Sequence, residues 1–550
     1  MDVATFLFEE GKRRTQLLPN PNTYAFYEEP TGYSESIYTL EEKCKKLASG
    51  LLNRLGLQHD QKVLICSRNS LNYTIIMYGT LMAGGVVSFA NPEYTPRELA
   101  HVISDSDSQY IFAQTAFLGT IKEAIKIAKV DIPNKNIVII DEKLRSFNGH
   151  MTIHELYCDL PFKRFEIASV EEQENKLAFI PYSSGTTGLS KGVMLTHRNI
   201  VSNVIQNQVL GAANRWYSDK SVTHRFLAVL PFYHIYATVI ILAQGLATGI
   251  GVVICEKFDM KLYLECVQKH KITFAHLVPP LLIRLINDPL VDQYDVSSIR
   301  FMKSAAAPLY KDLIELIYKK FTTVEIIQLY GVTESSPSVC ATPRNNKDFG
   351  SSGFLTANQV VKIIDDDNKE LDYNQVGEVC IKGPNIMKGY WKNPEATKSA
   401  LDSEGFLHTG DIGFVNKDGQ LSIVDRKKEL IKYKGFQVPP AELESLLLAH
   451  PSVADCAVIG VYLEEQATEI PKAFITLRSQ HAGISESEKQ KLAGDIRTWI
   501  DSKVVSYKKI RGGVEILDVI PKSAAGKILR RLLRDRENEK LKNKKRSSKL

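Results

Sequence analysis

The sequence predicts an α/β protein made of a large domain followed by a small one, and three observations lead there. Its 550 residues are more than one simple core organises, so at least two folding units are required. The first 110 residues alternate helix and strand signals, the grammar of layered α/β folds with mostly parallel sheets. Near Leu421 to Lys434 a strand-like LSIVD passes into the charged DRKKELIKYK, after which a new, shorter α/β pattern begins, as at a domain boundary.

Taken in order, Thr39-Leu-Glu-Glu42 reads as a capping box, with Leu40, Cys44, Leu47, Leu51 and Leu55 as the apolar stripe of its helix and Gly56 as its stop. Lys62 to Cys66 (KVLIC) follows as a strand. Thr95-Pro-Arg-Glu98 is a second capping box, with Pro96 at the first helical position, leading to a helix and the strand-like run Tyr110 to Ala113. Ala237 to Cys255 is uncharged for long enough to span a bilayer. Three glycines, two threonines and a glutamine interrupt it, so it reads as a buried helix ending near Gly249 and a core strand, GVVIC. No transmembrane segment is expected. A helix over Ala441 to Ala449 and a strand over Val453 to Gly460 open the small domain.

Composition narrows the function classes. With 44% hydrophobic and 24% charged residues the chain resembles ordinary globular proteins rather than disordered or disulfide-rich ones. Eight scattered cysteines without a CxxC pair argue against a zinc site and against a secreted disulfide framework. Met1 to Glu10 already carries Asp2, Glu9 and Glu10, unlike a secretory leader. The net charge of +6 is gathered at the C-terminus, where Lys540 to Lys549 holds six Lys/Arg and no acid. Six cations give only salt-sensitive, non-specific contact with nucleic acid, so no nucleic-acid partner is expected.

The chemistry is carried first by Tyr182-Ser-Ser-Gly-Thr-Thr-Gly-Leu-Ser-Lys-Gly192. Glycines and small hydroxylated residues let backbone N–H groups and hydroxyls converge on phosphate oxygens, and Lys191 adds positive charge. It is not a Walker A loop, because Ser190 stands where that motif needs glycine before the lysine. Further segments follow in order: Leu230-Pro-Phe-Tyr-His-Ile-Tyr236, Gln328-Leu-Tyr-Gly-Val-Thr-Glu334, Gly389-Tyr-Trp391, Thr409-Gly-Asp411, Asp425-Arg426, Lys432-Tyr-Lys-Gly-Phe-Gln437 and Pro521-Lys-Ser-Ala-Ala-Gly-Lys527. On these segments, nearly the whole chain resembles the acyl-activating, adenylate-forming superfamily, and most closely its branch of 4-coumarate-CoA ligases and beetle luciferases.

The resemblance implies a large domain of two packed α/β subdomains plus a β-barrel-like subdomain over 1–425. It places a hinge at 426–434, a small mobile α+β domain at 435–535 and a basic tail at 536–550. It implies a two-step reaction: carboxylate and MgATP give acyl-AMP and pyrophosphate, then coenzyme A gives acyl-CoA and AMP. By the same resemblance Ser183, Ser184, Gly185, Thr186, Thr187 and Lys191 hold the ATP phosphates, Thr333 the α-phosphate, and Glu334 the Mg²⁺. Gln328, Tyr330, Gly331 and Ala306 would form the adenine wall, and Asp411 and Arg426 would take the ribose. Lys527 is the expected catalytic lysine of adenylation. Lys432 and Gln437 would reach the site when the small domain rotates about Lys428. Lys434, Gly435 and Lys257 would contact CoA. His234 would gate an acyl pocket that includes Tyr236, Ala305, Val332, Pro337 and Ser338. Such an apolar pocket implies an aryl (4-coumarate-like) or a medium- to long-chain acid; close relatives carry glycine where this chain has Ala305, and one added methyl shifts selectivity by about 1–3 kcal/mol in a crowded site, so the resemblance does not fix hydroxycinnamate as the acid. Two rival readings keep the same motifs: a luciferase-like adenylating oxygenase, and a degenerate nucleotide-binding protein. Ser548-Lys549-Leu550 reads as a receptor-recognised peroxisomal address, which predicts the peroxisomal import receptor as a partner and the peroxisome matrix as location.

Overall fold

The computed structural model describes every residue except 19–20, 30, 142–145, 184–189, 220, 306–308, 310, 347, 435, 464–465, 467, 482, 524–525 and 548–550. The large domain is built on two predominantly parallel sheets. In one, the strands Leu177–Ile180, Val86–Ala90, Lys62–Cys66, Ser108–Ala113 and Ile137–Ile139 run parallel, and Lys191–Thr196 joins antiparallel at the edge. In the other, Glu325–Gly331, Phe301–Ser304, Phe274–Leu277, Arg225–Ala228, Gly251–Ile254 and Phe26–Glu28 run parallel, with antiparallel strands closing both ends. Strands of this kind are buried on both faces and so read as continuous apolar runs, as KVLIC does.

One core joins the two sheets. The helix Leu71–Met82 lies within it, buried at every position but Asn72, and its Tyr73 meets Phe89 of the first sheet and Phe232 beside the second. The third part of the large domain is a four-stranded antiparallel sheet, Val360–Ile364, Gly377–Lys382, Leu407–Val415 and Leu421–Arg426, whose end strands do not pair with each other among the described residues. The small domain has its own core, with Ile431, Leu443, Val458, Ile475 and Ile496 at its centre. It packs the hairpin Ile431–Tyr433/Phe436–Val438 and the sheet Val453–Leu463, Thr468–Leu477, Val514–Ile516 against the helices Pro440–Leu448 and Glu486–Asp501.

Most expected elements appear where the local chemistry puts them. Thr95 and Glu98 exchange both capping-box bonds at the start of Pro96–Ser106. The uncharged run is a buried helical segment that closes at Gly249 with φ +70° and re-enters the sheet as Gly251–Ile254; among the described residues no helix is long and apolar enough to cross a membrane. The box at Thr39 is the correction. The helix begins at Ile37, and Ser36 is its cap, accepting from Thr39 N at 3.2 Å, because Ile37 and Leu40 extend the apolar face one turn earlier than the Thr-x-x-Glu pattern suggests. All eight cysteines are unpaired and buried.

The segment expected as a hinge is largely committed to its neighbours. Arg426 ends the last strand of the large domain, whereas Ile431 and Tyr433 are buried in the small domain's core. Between them lies the turn that carries Lys428, which is exposed. The expected boundary at 535/536 falls inside one helix, Arg530–Ser547.

Candidate active site

The site forms where the C-terminal ends of the parallel strands of the second sheet face the phosphate hairpin, the usual place for a ligand in open α/β sheets. Ser183 pairs with Lys191 across that hairpin; Ser184, Gly185, Thr186 and Thr187 lie outside the described residues. Gly389–Tyr390 adds to the same edge, pairing with Val193 and Met194. Ser183 Oγ donates to Glu334 Oε1 at 3.0 Å, Tyr390 OH donates to the same oxygen at 2.8 Å, and Lys191 Nζ lies 4.8 Å from the Tyr390 ring centroid. Phosphate hairpin, Glu334 and the Gly-Tyr-Trp segment thus form one cluster.

A second cluster comes from the antiparallel sheet. Asp411 and Arg426 sit directly opposite on neighbouring strands, so their side chains meet, Arg426 Nε 2.9 Å from Asp411 Oδ1. Tyr330 OH donates to Asp411 Oδ2 at 2.7 Å. Burial raises the Asp411 carboxyl above its ordinary value while Arg426 opposes it, and Asp411 in turn holds the Arg426 guanidinium up. Gln328 is spent inside the protein: its Oε1 accepts from Leu309 N at 3.0 Å and its Nε2 donates to Phe349 O at 3.3 Å. Gly331 has a steric cause, since a Cβ there would fall 1.9 Å from Pro337 O. Ala306 lies outside the described residues.

Between the clusters opens a mostly apolar cavity of about 160 Å³. His234, Tyr236, Ala305, Val332, Pro337 and Ser338 line it, together with Tyr330, Gly331 and Thr333, so the residues expected for the acyl pocket and three of those expected at the nucleotide share one cavity. The His234 ring lies tilted at 45° against Tyr233, centroids 4.4 Å apart, and burial, then the charge of Lys527, pushes its imidazole down to about 4. It is neutral at ordinary pH.

Lys527 arrives from the small domain. Ser523 and Lys527 are tied together, Ser523 N donating to Lys527 O at 2.8 Å and Lys527 N donating to Ser523 Oγ at 3.2 Å. A Cβ at Gly526 would lie 3.3 Å from Val278 Cγ2, a residue of the cavity wall, so Gly526 is docked there. Burial, then Arg426, brings the Lys527 ammonium down to about 8, with Glu429 and Asp411 opposing. The lysine therefore shares one electrostatic site with Asp411, Arg426 and His234.

The other lysines are elsewhere. Lys432 and Gln437 face each other across the small hairpin, and both are exposed, as is Lys434. That hairpin is tied to its own domain: Lys432 N donates to Glu469 Oε2 at 2.7 Å and Lys434 N to Thr468 Oγ1 at 2.7 Å. Lys257 is exposed on the turn after Gly251–Ile254, and Gly435 lies outside the described residues. Motif reading also passed over a buried pair, His276 and Lys303, in the strands beneath the cavity. The signal was present as a lysine inside the apolar strand FMKS.

Residues 14–391 match the family described as AMP-binding enzyme, and residues 442–527 match the AMP-binding enzyme C-terminal domain. A probable 4-coumarate--CoA ligase 1 of Dictyostelium discoideum is 38% identical over 516 residues, 92% of this chain and 91% of that one. The 4-coumarate--CoA ligase 1 of Solanum tuberosum is 39% identical over 519 residues, 92% of this chain and 90% of its own. Among solved structures, ATP-bound MatB from Rhodopseudomonas palustris superposes with a TM-score of 0.80 at 26% identity, covering 97% of this chain and 99% of that one. The anthranilate CoA ligase AuaEII in complex with anthranoyl-AMP shares the fold, with a TM-score of 0.84 at 24% identity over 98% of both chains. With both family segments matched in order and relatives aligned along nine-tenths of its length, the chain belongs to the AMP-binding enzyme family.

Proposed function

We propose that this enzyme is an ATP-dependent acid–CoA ligase that works through an acyl-adenylate. The observation that supports the reading is the docking of Gly526, the neighbour of Lys527, from the other domain on Val278 of the acyl-cavity wall, where the charge of Lys527 acts on Asp411 and His234. In the first half-reaction a carboxylate oxygen attacks the α-phosphorus of ATP, the bond to the β-phosphate oxygen breaks, and pyrophosphate leaves. Charge builds on the α-phosphoryl oxygens, where a positioned ammonium stabilises it. Asp411 accepts from the ribose hydroxyls, Thr333 donates to the α-phosphate, and neutral His234 orients the acid at the cavity mouth. In the second half-reaction the CoA thiolate attacks the acyl carbon and AMP departs, a far better leaving group than hydroxide.

Magnesium fits Glu334. One carboxylate oxygen is held by Ser183 and Tyr390, and among the described residues the other has no partner; a hard cation bridging phosphates needs few protein ligands. When bound, it neutralises phosphate charge. Lys432, Lys434, Gly435 and Gln437 act in the second step, after rotation about the turn at Lys428, as the short connection and separate cores allow. Lys257 is assigned to CoA on the resemblance. Oxidation of the adenylate is not favoured, since the relatives that align along the chain are named CoA ligases. Ser548-Lys549-Leu550 supports import into the peroxisome matrix; a fluorescent fusion that stays cytosolic in cells with working peroxisomes would refute that.

The test of the reaction is pyrophosphate and acyl-CoA formation from MgATP across hydroxycinnamates, benzoates and fatty acids, with and without CoA, beside Lys527→Ala. CoA-dependent thioester is expected, and adenylation in the variant should fall by about 10²–10³. Pyrophosphate without thioester from any acid would overturn the ligase reading.

A further inference from the structure

Beneath the acyl cavity, but not lining it, lies a basic layer that serves as its floor. Val278 and Ala305 line the cavity just past the ends of their strands, and two residues back on the same face of the sheet stand His276 and Lys303. These two are paired in register on adjacent parallel strands, which sets an imidazole and an ammonium side by side in the layer beneath the cavity. Both are buried, His276 at 0% exposure and Lys303 at 2%. Tyr236 connects floor and cavity: it lines the cavity, and its hydroxyl lies 3.0 Å from His276 Nδ1.

The floor lacks a counter-charge among the described residues. Lys303 Nζ lies over the rings of Trp216 at 4.1 Å and Phe274 at 5.3 Å, and no carboxylate pairs with it. His276 Nε2, Trp216 Nε1 and, on the cavity wall, Ser338 Oγ have no hydrogen-bond partner there. A buried cation with ring faces but no counter-charge is costly, and the few polar groups of an apolar pocket are what fix a ligand's orientation.

We propose that the acid this enzyme activates carries a second carboxylate, remote from the reacting one, which the Tyr236–His276–Lys303 floor receives; this rests on the ligase reading above. The apolar wall, with Ile240, Leu329 and Val332, takes the spacer between the two ends. Its volume of about 160 Å³ matches a ring-sized spacer, since an apolar cavity of roughly 150 Å³ holds benzene. Burial alone brings the Lys303 ammonium down to about 7, and an arriving carboxylate supplies the missing partner and restores its charge.

The experiment uses the full chain and three acids on one frame: cinnamate, 4-hydroxycinnamate and 4-carboxycinnamate. Binding is measured by calorimetry and turnover by acyl-CoA formation, for wild type, Lys303→Met and Tyr236→Phe. Wild type is expected to favour 4-carboxycinnamate over cinnamate by about tenfold or more in both Kd and kcat/KM. Lys303→Met should bring that ratio to about one, with the loss in KM, and Tyr236→Phe should lower it. Equal binding of the three acids, preference for the 4-hydroxy acid, or an unaltered ratio in Lys303→Met would overturn the proposal. The two readings fail separately. A Lys303-dependent binding preference without any thioester sinks the ligase and leaves the floor; thioester formed equally from all three acids does the reverse.

Discussion

Replacing Lys303 by methionine tests the buried floor through stability rather than turnover. Lys303 is 2% exposed, and burial brings its ammonium from 10.5 down to about 7. In the unfolded chain the same group titrates near about 10.4. Between these values the unfolded state binds more protons than the folded one, so the free energy of unfolding rises with pH through that window. With those two values the linkage penalty is about 4 kcal/mol at pH 7 and falls by about 2 kcal/mol on moving to pH 9. Methionine keeps an unbranched side chain against Trp216 and Phe274 and removes the charge. The variant should therefore gain up to about 4 kcal/mol at pH 7 and lose about 2 kcal/mol of the rise between pH 7 and 9. Urea unfolding of both proteins at pH 7, 8 and 9, followed by far-UV circular dichroism, measures this. Lys527, whose ammonium is down to about 8, titrates in the same window, but it is present in both proteins and cancels in their difference. A variant no more stable than wild type at pH 7, with a parallel pH dependence, would refute the claim that Lys303 is buried without a counter-charge.

Three further outcomes follow from the site. Gly331→Ala must displace Pro337, because the new Cβ would sit 1.9 Å from its carbonyl oxygen; the variant should lose most acid binding, checked by calorimetry, and melt lower by about one degree for each kcal/mol of strain, of which about 1 kcal/mol or more is unavoidable. In the proposed mechanism adenylation needs Lys527 as ammonium, and its folded-state value is down to about 8. The kcat/KM for pyrophosphate release should thus be flat below that pH and fall about tenfold per unit above it, whereas a flat profile to pH 9.5 would remove Lys527 from the step. Lys432→Ala, on the exposed hairpin face, should leave pyrophosphate release in a single turnover near wild type and slow thioester formation by about 10²; equal losses in both steps would contradict the division of labour between the two faces of the small domain.

The fold was legible where local rules had no competitor. At Thr95 the capping box is reinforced by Pro96, and the structure follows it. At Thr39 an equally good pattern lost to Ser36, because burial of Ile37 and Leu40 decides where that helix starts, and burial is a tertiary fact. The site was legible as motifs, and Asp411, Arg426 and Tyr330 do meet. The structural duty of Gln328 depends on the carbonyl oxygens of Phe349 and Ser351, which no motif displays. The basic floor escaped for a related reason: His276 and Lys303 stand 27 positions apart and become neighbours only through parallel register.

The central claim, that the acid is activated as an acyl-adenylate, is tested most directly by the fate of its oxygen. With a carboxylic acid labelled in both oxygens with ¹⁸O, attack on the α-phosphorus followed by thiolysis leaves one labelled oxygen on AMP and one in the thioester. Mass spectrometry of the AMP from a full turnover with CoA should find one ¹⁸O per molecule. Unlabelled AMP accompanying acyl-CoA would contradict the adenylate, and with it the role assigned to Lys527.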